Sequence, residues 1–203
     1  TRCTPGQRAG NPDGGGDADM FIFYNQLKSI PGILFEPYYV LYSNRLSENS
    51  NTAQGLGTAK KSGQLRHMVG QRTELRKGGV DAILETAYQF GQMSDGLGAD
   101  NQRNIHINAW ALRSWLGYTA YSSKLKPRLA IGFDYASGDG NANCSTGGVQ
   151  QFGCRSGNTF ENFFPTNHIH MGYMDVMAWK NMLSPQVNFQ MRPTARDHFE
   201  IWY

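Results

Sequence analysis

The chain is poor in charge and has no long hydrophobic run. Charged residues make up 17% of its 203 residues, below the roughly 25% of an ordinary soluble domain. No stretch approaches the roughly 18 consecutive apolar residues that a membrane-spanning helix needs, which excludes helical membrane insertion. Strands of a membrane β-barrel remain allowed, because they alternate lipid-facing with lumen-facing residues and therefore average out as mildly hydrophilic.

Cysteine and clustered positive charge are also scarce. The chain has three cysteines, of which Cys144 and Cys154 flank a stretch rich in Gly, Ser and Asn. A loop disulfide between these two is compatible with an oxidising compartment, and an unpaired state fits the sequence equally well. Their spacing does not match a zinc site. The net charge of +3, with Lys60-Lys61 as the one basic pair that stands out, gives no indication of a nucleic-acid partner.

Motifs that carry catalysis or hold a metal are missing. No G-x-S-x-G, P-loop or H-E-x-x-H run occurs. His168 and His170 would share one face of a strand, but no carboxylate or cysteine stands at ligand spacing. Asp139, Asn141 and Asn143 alternate like the start of a calcium loop, without the Gly and Glu that complete one. We therefore predict no metal, no cofactor and no enzyme, although Ser, His and Asp from separate strands could assemble a hydrolase site.

The pattern that is present is alternation with a period of two, which is typical of half-buried strands. In the segment 79–91, Val80, Leu84 and Tyr88 fall on one face, and Asp81 and Glu85 fall on the other. Related patterns, some of them rougher, occur over residues 20–27, 33–44, 65–76, 104–121, 126–137, 171–182, 186–192 and 198–203.

One long segment, residues 104–121, does not keep a single phase if its apolar side chains face lipid. Ile105 and Ile107 point outward in that reading, and Arg113 then points outward as well. A charged side chain in contact with lipid is costly. We therefore predict a bulge near residues 109–112 that turns Arg113 away from lipid.

The layout of the strands indicates the fold class. Most segments have about ten residues and are joined alternately by tight turns and by long polar loops near residues 47–63, 92–103 and 138–166, which is typical of an outer-membrane barrel. A soluble sandwich would favour strands of about five or six residues. We predict an all-β fold, an antiparallel transmembrane β-barrel over residues 19–203, preceded by a loop over residues 1–18. About nine strands would leave apolar edges in lipid, so we expect further strands outside this sequence.

Two stretches carry a family resemblance. LKPRLAIGFDYASGDG (residues 125–140) and NTFENFFPTNHIHMGYMDVMAWKNM (residues 158–182) resemble the alginate-export family. The matching positions are Gly132, Asp134 to Asp139, Phe160, Phe163 to Thr166, His168, Gly172, Tyr173, Asp175 and Asn181. The resemblance implies a bacterial outer-membrane barrel of about eighteen strands, with this chain as its middle portion. It also implies passive export of an anionic polysaccharide.

Charged residues opposite the apolar faces are the candidate binding site. If the apolar faces contact lipid, these residues line the lumen, where guanidinium groups bind carboxylates bidentately. The alternative is that they form cross-strand ion pairs that stiffen the wall. The predicted lumen residues are Arg66, Arg72, Glu74, Glu85, Arg113, Arg128, Asp134, Asp175 and Arg192.

The loop over residues 138–166 contains apolar pieces among polar residues. We predict that it folds inward and narrows the pore, anchored by its aromatic residues, rather than lying on the surface. The predicted pore-loop residues are Phe160, Phe163, Phe164, Pro165 and His168. The predicted partners are outer-membrane lipid and an anionic polysaccharide or small acidic solute. A second hypothesis is a structural barrel that anchors a larger assembly through periplasmic or outer-membrane proteins, and a third is an outer-membrane hydrolase.

Overall fold

The computed structural model describes residues 18–49, 60–94, 104–139, 156–163, 179–194 and 196–203, and these form strands and their connections. The strands are β1 (Ala18–Tyr24), β2 (Ile33–Asn49), β3 (Lys60–Lys77), β4 (Val80–Ser94), β5 (Asn104–Thr119), β6 (Arg128–Ala136), β7 (Ser156–Gly157), β8 (Met182–Met191) and β9 (Phe199–Trp202). The described residues contain no helix with the length and hydropathy that a membrane span requires.

All the strands belong to one sheet, in the order β1-β2-β3-β4-β5-β6-β8-β9. Neighbours along this order pair antiparallel. The short β7 pairs in parallel with β5 at His106 and Ile107, beyond the point where β6 ends opposite Ala111. The predicted all-β antiparallel fold class is confirmed, and the arrangement is that of part of a β-barrel.

The two ends of the sheet differ in their connections. At one end, which we call the short-turn end, β3 and β4 are joined by a two-residue turn in which Gly78 has φ +60°, a conformation that glycine adopts without strain. Residues 25–32, 120–127, 192–194 and 196–198 lie at the same end. At the opposite end, which we call the long-loop end, β2 and β4 end and β3 and β5 begin.

Side chains alternate between two faces of the sheet, as the sequence pattern predicts. The apolar face exposes large hydrophobic side chains, for example Leu65 (45%), Leu116 (53%) and Ile131 (56%). The opposite face, which we call the polar face, contains the buried charged and amide side chains Glu36, Arg66, Gln89, Asp134 and Asn188. Water-exposed apolar residues on one face and buried polar residues on the other are the reverse of a soluble sheet, and suit a sheet that faces lipid.

The predicted bulge in the long segment is wrong. The pairing of β4 with β5 runs without a shift from Val80 opposite Tyr118 to Ser94 opposite Asn104. Ile105 and Ile107 therefore share the polar face with Arg113, and both isoleucines are buried. The prediction failed because it assigned these apolar side chains to lipid, whereas another part of the chain covers them.

The region before β8 also differs from its sequence pattern. A strand was expected over residues 171–182, but residues 171–178, including Asp175, lie outside the described part. Residues 179–181 are not in a strand, and β8 begins at Met182 and pairs directly with β6. The strand expected from residue 186 therefore starts four positions earlier.

Candidate functional site

A row of alternating charges crosses five neighbouring strands on the polar face. The register places Glu36 opposite Arg72, Arg72 opposite Glu85, Glu85 opposite Arg113, and Arg113 opposite Asp134. We call this row the charged belt. Each of the three interior positions has charges of opposite sign on both sides, an arrangement that stabilises neighbouring strands.

Arg72 is held firmly within the belt. Its Nη1 donates to Glu36 Oε2 at 2.7 Å, and its Nη2 pairs with Glu74 on the same strand. The other oxygen of the buried Glu36 accepts from Gln26 Nε2 at 2.7 Å. The cross-strand ion pairing that was the alternative to a binding role is therefore present at Arg72.

A second bridge spans an intervening strand towards the short-turn end. Arg128 on β6 donates to Asp81 on β4, from Nε at 2.9 Å and from Nη2 at 2.5 Å. Its Nη1 donates to Asn188 at 2.9 Å. The bridge crosses β5 at Gly117, where an added Cβ would lie 2.6 Å from Arg128 Nη2 and 2.8 Å from Asp81 Oδ1. The absent side chain of Gly117 is what allows the bidentate pair to form.

Gly70 has the same effect on β3. Tyr38 of β2 reaches across it to donate to Glu85 of β4 at 3.2 Å, and a Cβ at Gly70 would overlap the Tyr38 ring. Neither Gly70 nor Gly117 was predicted from the sequence to have a role. An isolated glycine inside an alternating strand is a signal of close approach by another group, and it would have identified them.

Part of the predicted pore loop, residues 156–163, lies against the polar face at the long-loop end. We call it the inward segment. Phe160 is 6% exposed and packs with Ala109, Ala111 and Ala136. Further along, the ring of Phe163 lies 5.5 Å from that of Tyr42 on β2. The inward segment therefore extends across the polar face from β6 to β2.

A polar clamp holds the middle of the inward segment. Glu161 Oε2 lies 3.1 Å from Arg66 Nη2. The backbone N–H of Glu161 donates to Gln89 Oε1 at 3.1 Å, and its carbonyl accepts from Gln89 Nε2 at 2.6 Å. Arg66 and Gln89 are fully buried and are joined to each other at 2.8 Å. The segment therefore supplies hydrogen bonds to the buried amide of Gln89 and a carboxylate partner to the buried guanidinium of Arg66.

Residues just after β6 fix the base of the segment. The carboxylate of Asp139 accepts from the backbone N–H groups of Asn158 and Thr159 at 2.9 and 3.1 Å. Ser137 donates to the carbonyl of Asn158 at 2.6 Å, and its own carbonyl accepts from Phe160 N at 3.0 Å. Ser137 and Asp139, which belong to the run that carries the family resemblance, thus hold the base of the segment by hydrogen bonds.

The predicted site residues divide into four groups. Seven of the nine expected lumen residues lie in strands on the polar face: Arg66, Arg72, Glu74, Glu85, Arg113, Arg128 and Asp134. Arg192 follows the end of β8 and is exposed. Phe160 and Phe163 belong to the inward segment. The remaining predicted residues lie outside the described part of the chain: Phe164, Pro165, His168, Asp175, Cys144 and Cys154.

Comparison with known proteins agrees with this architecture. A family model described as alginate export matches residues 4–203. No curated protein and no solved structure matches the chain. The family match includes the charged belt, the glycine-spanned bridge and the inward segment, and with the all-β antiparallel sheet it shows that the chain belongs to the alginate export family of outer-membrane β-barrels.

Proposed function

We propose that the polar face lines a water-filled pore through which an alginate-like anionic polysaccharide, or a related acidic solute, crosses the bacterial outer membrane. The observation that carries the proposal is the charged belt, five strands wide, on the face opposite the exposed hydrophobic side chains. A charged surface of this width beside a lipid-facing surface suits an aqueous conduit better than a packed core.

Arg72 and Arg128 on this face are held in position but remain accessible. The side chains of Arg72 and Arg128 keep 30% and 21% of their surface exposed while bonded to carboxylates. Their neighbours fix the guanidinium groups, so that a passing carboxylate meets an ordered donor. Competition from the same neighbours keeps the affinity low enough for the polymer to leave.

The described strands carry nearly balanced charge on the polar face. Five arginines and six carboxylates occupy it: Arg66, Arg72, Arg76, Arg113, Arg128, Glu36, Glu74, Asp81, Glu85, Asp134 and Glu200. We infer that this wall guides and orients an acidic polymer and does not trap it.

The inward segment narrows the pore in this proposal. Its floor residues Ala87, Ala111 and Ala136 lie two positions from the belt residues Glu85, Arg113 and Asp134, about 7 Å along a strand. The constriction and the belt are therefore adjacent, and a polymer squeezed at one would contact the other.

A structural barrel is the second candidate. It is favoured by one observation: the inward segment leaves Arg66 and Gln89 with no exposed surface at all, as a plugged lumen would. Such a barrel would anchor an outer-membrane assembly and conduct little. An open pore and a plugged barrel differ in conductance, so one experiment separates them.

The experiment is single-channel recording of the protein in a planar bilayer, with ion selectivity measured in a salt gradient. We expect a conducting channel that polymannuronate blocks, and that neutral dextran of matched length does not block at the same concentration. A silent barrel would move the assignment to the structural role. A channel blocked equally by both polymers would remove the case for an acidic substrate.

A further inference from the structure

A pocket of about 550 Å³ lies at the short-turn end, where the turns after β5 and β8 meet. The backbone N–H of Arg192 donates to the carbonyl of Leu125 at 2.9 Å, which ties the two turns together. Thr119, Arg128 and Gln190 stand opposite one another in register across the three strands and line the pocket. Because all three lie on the polar face, the pocket adjoins the proposed pore wall.

The pocket is strongly cationic. Among the described residues its lining includes Lys124, Lys126, Arg128 and Arg192 and no acidic side chain. Arg128 is bonded to Asp81, whereas the other three form no salt bridge within the described part of the chain. We call Lys124, Lys126 and Arg192, with the pocket they line, the cationic mouth.

The acidic side chains of the neighbouring elements are already engaged. Asp197 accepts from Thr194 Oγ1 at 2.6 Å, and Glu200 accepts from Gln190 Nε2 at 2.6 Å. Neither carboxylate forms a salt bridge with Lys124, Lys126 or Arg192 within the described part of the chain. The polar face as a whole has nearly balanced charge, whereas this pocket has a local excess of cations.

The backbone conformation of Lys126 is a second observation that points to a role for this pocket. Lys126 has φ +43°, a left-handed conformation that a lysine seldom adopts and that glycine or asparagine adopts more easily. Residues held in such conformations cluster at functional sites. A lysine at this position is accounted for if its ammonium group is needed in the pocket.

We propose that the cationic mouth is a docking site for the carboxylates of an anionic polysaccharide before it enters the pore. The inference rests on the proposed pore function and adds where the polymer is first captured. The wall supplies little net attraction because its charges balance, whereas unpaired ammonium and guanidinium groups at an opening raise the rate of association. The short turns of outer-membrane barrels face the periplasm, which is the compartment from which an exported polymer arrives.

The test counts block events when oligomannuronate is added to each side of the bilayer in turn. The triple variant Lys124→Gln, Lys126→Gln, Arg192→Gln is compared with a matched control, Lys28→Gln, Lys77→Gln, Arg196→Gln, which removes the same charge at the same end from residues that do not line the pocket. We expect the first variant to lower the block rate about tenfold from one side only. An equal loss in the control, or no loss in the first variant, would overturn the docking site.

Isothermal titration calorimetry of the same oligomer with the detergent-solubilised protein tests the docking site independently of conduction. Binding that the first triple variant loses and the control keeps supports the cationic mouth, even in a barrel that does not conduct. Absence of binding by the parent protein, or equal binding by both variants, would contradict it. Failure of the pore proposal and failure of the docking site thus give different results.

Discussion

The two ends of the polar face are built from the same strands but hold different environments. At the long-loop end, small alanines and the buried pair Arg66–Gln89 lie beneath the inward segment. At the short-turn end, the Arg128–Asp81 bridge stays partly exposed and leads to the cationic mouth. The pattern of alternation is identical in both halves, so it cannot by itself distinguish a covered wall from an open one.

The difference shows what determines burial in a barrel strand. Ile105 and Ile107 are apolar and face inward, because the chain around Gly157 covers them: a Cβ at Gly157 would lie 2.5 Å from Met93 Cε and 3.8 Å from Ile105 Cγ2. Burial of apolar surface drives this contact wherever the covering chain is found. The side of a strand that faces lipid is therefore set by the whole barrel and not by hydrophobicity at each position.

Phe160→Ala is expected to have the largest effect on the inward segment and on conductance. Truncating a buried phenylalanine costs about 3–5 kcal/mol, and here the loss would destabilise the packing of the inward segment against the polar face. We expect a higher single-channel conductance and faster proteolysis within residues 156–163. Asn162→Ala, in the same segment, is the matched control; if it changes conductance as much, Phe160 is not the anchor.

Glu161→Gln should have a smaller effect at the same place. It removes a charged acceptor from the buried Arg66, and hydrogen bonds to charged groups contribute about 1.5–3 kcal/mol. A double-mutant cycle with Arg66→Met, read out as channel opening frequency, measures the coupling between the two side chains. Additive effects in that cycle would mean that the clamp does not hold the segment.

Gly117→Val tests the short-turn end. The new side chain would meet Arg128 and the Asp81 carboxylate, and overpacking of this kind costs about 1–3 kcal/mol. We expect a lower urea midpoint of unfolding with an unchanged response to Phe160→Ala, because the two sites are independent. The control is Leu116→Val, at the adjacent position on the apolar face. An equal decrease in its urea midpoint would show that β5 is merely sensitive to β-branched residues.

Asp81→Asn should have the smallest effect on stability. The Arg128–Asp81 pair is partly exposed, and such pairs contribute about 1 kcal/mol or less. Removing one carboxylate and loosening Arg128 should raise the anion-to-cation permeability ratio, measured as a reversal potential in a salt gradient, while conductance stays the same. A ratio that does not change would mean that this bridge does not face the permeating ions.

Sequence reasoning predicted the sheet well because its signals are local. Alternation of Leu65, Val69 and Thr73 against Arg66 and Arg72 depends only on backbone periodicity, and the two-residue turn at Gly78 depends on one glycine. These features gave the correct faces of β3, β4 and β6, whereas the predicted face of Ile105 and Ile107 in β5 was wrong.

The contacts that build the site are long-range, and the sequence gives them only weak signals. Glu161 meets Gln89 across 72 positions of the chain, and Arg128 meets Asp81 across 47. No periodicity encodes such pairs. The inward fold of the loop was predicted from its aromatic content, but its floor of alanines and its anchor at Asp139 required the structure.

The central claim is that the polar face encloses an aqueous pore narrowed by the inward segment. The most direct test replaces residues 156–163 with eight alternating Gly and Ser residues and records single-channel conductance in a planar bilayer. The account predicts a clear rise in conductance, with polymannuronate block retained from at least one side. An unchanged conductance in a correctly folded, conducting channel would contradict it.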